Sequence, residues 1–169
     1  MGMDSKKLSA RAKQPGHDRT FLESEQNFVA SAKEVLGSDY EVVKNPTDLR
    51  DIFGEAAESA LGLSPEASIT SVRTGRKFFV EVKKQGPAGN AKERACKHHT
   101  VQFYKLLKTR YGYPYHPYVT IMCERLADLE RYTRKARYLF EPDQYLLWKD
   151  YDPAVLERYL RARCAAWLD

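Results

Sequence analysis

Apolar residues recur with a helical period between Phe21 and Leu36: Phe21, Leu22, Phe28, Val29, Ala32, Val35 and Leu36 share a face, Thr20-Phe21-Leu22-Glu23 has the form of a capping box, and Gly37 ends the run. This spacing predicts a first helix. Tyr40 to Val43 reads as a short strand, Asn45-Pro46-Thr47-Asp48 as a turn, and Leu49, Ile52, Phe53, Ala56, Ala60 and Leu61 as a second helix ending at Gly62. Two β-rich runs, Ala67 to Val72 and Lys77 to Val82, flank Arg73-Thr74-Gly75-Arg76 and predict a hairpin. From Asn90 to about Arg110 nothing strongly breaks a helix, and Gly112 stops it. Tyr118 to Cys123 is expected as a strand, Arg125 to Ala136 as a basic helix, and Gln144 to Trp148 as a strand. A last helix begins at Pro153, with Asp152 as its cap.

Helices that alternate with strands describe an α/β sheet with helices packed on it. Residues 1–18 are basic and polar with few apolar anchors and are expected to form a flexible arm; residues 19–169 form one domain. At 169 residues, one domain would bury roughly 70% of its unfolded surface. With 43% apolar residues, 11 Tyr and 7 Phe, a disordered chain is excluded. No run approaches the ~18 apolar residues of a membrane span, and the first residues lack the apolar core of a signal peptide, so no membrane association and a cytoplasmic location are expected. Cys96, Cys123 and Cys164 are too dispersed for a disulfide scaffold or a zinc module. The net charge of +5, from 28 basic and 23 acidic residues, permits a polyanionic partner without requiring one.

Candidate chemistry concentrates on the hairpin. In Phe78-Phe79-Val80-Glu81-Val82-Lys83, strand alternation sends Phe78, Val80 and Val82 to one face and Phe79, Glu81 and Lys83 to the other. Taken alone, Glu-x-Lys is better explained by an ion pair on a solvated strand. Ser64-Pro65-Glu66 places a second carboxylate where the preceding strand starts, and an antiparallel hairpin brings that start beside the end of its partner. Two carboxylates facing one pocket repel unless a cation lies between them, and an open oxygen site suits Mg2+ with phosphate oxygens as further ligands. A lysine beside them can orient water and stabilise charge developing on phosphate.

Pro65-Glu66 followed fifteen residues later by Glu81-x-Lys83 resembles the PD-(D/E)XK nucleases, and within them the EcoRI and MunI type of type II restriction endonuclease. Val80-Glu81-Val82-Lys83-Lys84-Gln85-Gly86 looks like that group's glutamate strand. Gly89-Asn90-Ala91-Lys92-Glu93-Arg94 with the downstream Lys97 looks like its recognition segment, and Pro117-Tyr118-Val119 opens a strand where the family has one. The resemblance implies a restriction-endonuclease-like core, a central mixed β-sheet flanked by helices. It implies Mg2+ held by Glu66, Glu81 and the Val82 backbone carbonyl, with Lys83 serving the attacking water, and base contacts from Asn90, Ala91, Glu93, Arg94 and Lys97 to a palindrome with an AATT core. Double-stranded DNA as partner, a homodimer matching the twofold site, and a cognate DNA methyltransferase in the host follow from the same likeness. Glu66 departs from the family pattern, in which Asp commonly follows the Pro.

Two alternatives keep the fold: a DNA-binding relative with a degenerate active site, and a PD-(D/E)XK nuclease of repair or homing role. Lys92, Lys97, Lys105, Lys108 and Arg110, and a second cluster of Arg125, Arg131, Arg134, Lys135 and Arg137, are candidates for phosphate contacts as groups rather than singly. His98 and His99 are expected on a helix surface or satisfied in the core, and the loop Tyr113 to Pro117 in packing.

Overall fold

The computed structural model describes residues 16–54, 62–85, 94–124 and 126–169. Its elements in chain order are α1 (Gly16–Leu36), β1 (Tyr40–Lys44), β2 (Ala67–Ser71), β3 (Lys77–Gln85), α2 (Val101–Tyr111), β4 (Tyr118–Glu124), α3 (Leu126–Ala136), β5 (Tyr145–Lys149) and α4 (Pro153–Trp167). Among the described residues five strands form one sheet in the order β1-β2-β3-β4-β5. The first three pair antiparallel; β3, β4 and β5 pair parallel. Parallel neighbours need a crossover, and α2 and α3 lie in those connections. The result is the mixed sheet with flanking helices that the sequence implied.

Helices and sheet meet in distinct layers. On one face Phe28, Ala32 and Leu36 of α1 and Leu156, Leu160 and Cys164 of α4 pack on Ile69, Phe78, Val80, Val82, Val119 and Ile121. On the other, Phe103 and Leu107 of α2 pack on Phe79, Tyr118, Leu49 and Ile52, while Ala136 and Phe140 close over Met122 and Ala95. The alternation along β3 is therefore as read from the sequence. The β2–β3 turn closes with Gly75 at φ +70°, a left-handed conformation that glycine adopts freely, and Gly75 N donates to Ser71 O at 2.9 Å.

Three expectations change. α1 begins at Gly16, four residues ahead of the expected Thr20 cap. Residues 48–53 form successive turns instead of the start of a second helix, with Ile52 N and Gly54 N donating to carbonyls three residues back; residues 55–61 lie outside the described set. The helix expected from Asn90 to Arg110 is broken before Val101. Cys96–His99 is a short 3-10 turn, and Thr100, extended at ψ 151°, caps α2 by accepting from Phe103 N at 3.1 Å. A threonine hydroxyl competes for backbone N–H groups, which favours a new helix start over continuation. At the other end of α2, Gly112 at φ +74° supplies the left-handed cap, donating to Lys108 O at 2.9 Å. Of the arm expected at residues 1–18, residues 1–15 lie outside the described residues, and residues 16–18 fall in the first turn of α1 instead. No described helix is long and apolar enough to cross a membrane.

Candidate active site

The β2–β3 ladder sets Ala67 opposite Val80, so Glu66 stands at the point where pairing stops and Glu81 follows on the partner strand. Asn45 N holds the Glu66 carbonyl at 2.9 Å. The Glu66 side chain turns to β3, where Oε2 accepts from the Val82 backbone N–H at 3.2 Å. Lys83 Nζ donates to Glu66 Oε1 at 3.0 Å and also pairs with Glu81 Oε1. Three side chains from two strands thus converge on one end of the hairpin, and they are largely out of water: Glu81 is 7%, Glu66 15% and Lys83 20% exposed.

Burial penalises every charge in this triplet, and the neighbours decide which survive. Burial raises the Glu66 carboxyl well above the ordinary range, and its hydrogen bond with Glu81 and repulsion by that carboxylate raise it further. For Glu81 burial acts in the same direction, but the Glu66 hydrogen bond and the Lys83 charge outweigh it and hold Glu81 low. Burial alone would lower Lys83; the two carboxylates reverse this and keep the ammonium charged. The surroundings therefore favour a proton on Glu66 over one on Glu81, and keep Lys83 charged. Among the described residues no three His, Cys, Asp or Glu side chains gather as a metal cage. Two carboxylates and a neighbouring backbone carbonyl fit Mg2+, which keeps several waters and is rarely caged by protein alone.

The sheet face behind Glu81 is polar and closed. Thr120 is its partner in the parallel ladder and is fully buried. His98 is buried against Tyr118, and His99 bonds Thr120 and Gln144. Burial lowers His98 to about 4 and His99 to about 3, so both are neutral near pH 7. The expected satisfied-core role for the two histidines matches the placement of His99. Thr120 and Gln144 were not singled out in the sequence, although a threonine inside the apolar run Tyr118-Val119-Thr120-Ile121-Met122 was the available signal.

Of the expected base-reading residues, Asn90, Ala91 and Glu93 lie outside the described residues. Arg94 and Lys97 are described and exposed, on the segment that precedes α2. Among the basic residues offered for phosphate, Arg110 binds Asp51 Oδ2 at 3.3 Å and Gly54 O at 2.9 Å, tying the 48–54 turns to α2, and Arg134 pairs with Glu130. Lys105, Lys108, Lys135 and Arg137 are exposed on the α2 and α3 side.

A family model described as type II restriction enzyme MunI matches residues 3–168. No curated protein matches the chain. Among solved structures, the crystal structure of MunI restriction endonuclease in complex with cognate DNA superposes with a TM-score of 0.63, at 19% sequence identity, covering 88% of this chain and 97% of that one. At this identity the likeness is one of fold.

Proposed function

The chain belongs to the family of the type II restriction enzyme MunI, and from that membership we propose that it is a Mg2+-dependent endonuclease that cuts double-stranded DNA at a palindrome with an AATT core. The convergence of Glu66, Glu81 and Lys83 carries the reading. Glu66, Glu81 and the Val82 carbonyl would hold the ion, which when bound supplies Lewis-acid polarisation of the scissile phosphate. Lys83 reaches both carboxylates and retains its proton, so its ammonium can orient a water toward phosphorus and stabilise the charge that grows on the phosphate oxygens. The longer arm of Glu66, compared with the family's usual Asp, reaches Val82 N and Lys83, so the extra methylene still brings this carboxyl to the other two residues of the triplet.

Asn90, Ala91, Glu93, Arg94 and Lys97 are assigned to the bases, since Asn pairs bidentately with adenine and Arg reads groove edges. A homodimer would place one Glu66/Glu81/Lys83 set on each strand of a twofold site. The enzyme would act in the cytoplasm on DNA that a cognate methyltransferase has not protected. Incubating the protein with a plasmid library, with and without Mg2+, tests the reading: discrete metal-dependent cuts at AATT-centred palindromes are expected, and binding without cutting, or ragged degradation, would overturn it.

A further inference from the structure

Cys96–His99 follows Arg94 closely in the chain, and its two histidines fasten it to β4. The ring of His98 stacks on Tyr118 with centroids 4.5 Å apart and planes 8° from parallel. His99 Nε2 lies 2.8 Å from Thr120 Oγ1, and its Nδ1 lies 3.3 Å from Gln144 Oε1. A neutral imidazole has one donor and one acceptor. Gln144 Oε1 only accepts, so Nδ1 carries the proton and Nε2 accepts from the Thr120 hydroxyl. Thr120 in turn lies opposite Glu81 in the parallel ladder, with both side chains on the same face of the sheet. One imidazole therefore links three places: the residues just past Arg94, the strand beside Glu81, and the start of β5.

Resting on the reading of Arg94 as a base-contacting residue, we propose that His99 is a positioning residue that ties Arg94 and the residues after it, through Thr120, to the strand position of Glu81. Seating the correct bases and seating the catalytic carboxylate then become one event. Hydrogen bonds shielded from water are directional, and leaving one half-made is penalised more than the bond itself is worth, so the tie holds residues 94–99 against displacement from β4. Catalysis is far more sensitive than binding to such displacement, because a misplacement of about 1 Å can lower a rate by about 100-fold.

Thr120→Val removes the hydroxyl and nearly keeps the shape; Thr120→Ser keeps the hydroxyl. In Thr120→Val, hydrogen exchange at the amides of residues 95–99 is expected to accelerate, and single-turnover cleavage of an AATT palindrome in Mg2+ to fall by about 10–100-fold. Affinity for the same duplex in Ca2+ is expected to stay at the wild-type value, and Thr120→Ser to restore both exchange and rate. Combining Thr120→Val with His99→Leu should slow cleavage no more than the worse single change, since both break one linkage. Wild-type exchange and rate in Thr120→Val would overturn the proposal, as would equal losses in binding and cleavage, the mark of a merely structural role. A wild-type protein that cuts no duplex would overturn the functional reading and this inference with it, a failure recognisable because it precedes any variant.

Discussion

The two faces of the sheet are built on opposite principles. The face toward α1 and α4 is a continuous apolar layer, with Phe28, Ile69, Phe78, Val80, Val119, Ile121, Leu156 and Leu160 all fully buried. The face toward α2 and α3 buries Ser68, Glu81, Thr120, His98 and Gln144 among its aromatic rings. Burying an apolar side chain stabilises by roughly 1.5–3 kcal/mol, whereas a buried polar group is at best offset by its hydrogen bonds. One face holds the sheet together, and the other uses that rigidity to crowd two acidic groups together beside a buried ammonium. Stability and chemistry are separated by the period of a strand, since Val80 and Val82 serve the first and Glu81 and Lys83 the second.

The sharpest way to break this division is to strike the polar face. Glu81→Ala and Lys83→Ala are expected to lower cleavage by about 1000-fold or more, as loss of a metal ligand or a charge-stabilising donor does, while specific binding in Ca2+ survives. Single-turnover assays beside gel-shift titrations check this, and near-normal cutting by either variant would remove these residues from the site. Next in size is the contrast in stability. Phe78→Ala should lower unfolding free energy by about 3–5 kcal/mol. Glu66→Gln should leave it near the wild-type value, because the neutral amide replaces a carboxyl that burial and Glu81 already hold towards its protonated form, and yet it should nearly eliminate turnover. Urea melts of both variants decide; a Glu66→Gln protein as unstable as Phe78→Ala would mean that the triplet holds the fold.

A further contrast concerns pH. Burial lowers His98, His99 and His116 to about 4, 3 and 4, against about 6.5 in an unfolded chain. Below pH 6.5 the unfolded state therefore binds more protons than the folded one. The stability these rings contribute is complete above pH 6.5 and is lost as pH falls toward 4, by at most about 1.4 kcal/mol per pH unit for each ring. Denaturation curves between pH 7.5 and 4.5 should show this slope, and His99→Leu should flatten it; a slope unchanged in that variant would mean the ring is charged in the folded protein. Smallest are the surface contacts. Arg94→Ala should weaken specific binding by about 1–3 kcal/mol with little change on random duplex. Lys105→Ala should weaken all duplexes alike and reduce the salt slope by about one. Equal losses on both duplexes for Arg94→Ala would reassign it to a phosphate.

Much of the site was legible because it is local. The alternation of β3 placed Glu81 and Lys83 on one face, the four residues from Arg73 to Arg76 demanded a hairpin, and a hairpin returns Glu66 to Glu81 by its own geometry. Asp152 before Pro153 and Gly112 after α2 marked helix ends for reasons contained within one turn of chain. Where competing local signals were close to balance, the surroundings prevailed. Leu49 and Ile52 have helical spacing, but their side chains pack beneath Phe79 and α2, and Asp51 is bound by Arg110 and Tyr111, so the chain closes in turns. The break at Thr100 likewise sets His98 and His99 on the sheet instead of along a helix surface. The destination of a buried polar group depends on partners far away in sequence: His99 meets Thr120 across 21 residues and Gln144 across 45. Periodicity reports which side of an element faces the core; which polar groups meet inside it is decided only when the sheet and helices close, because an unpaired buried donor or acceptor must find its partner in three dimensions.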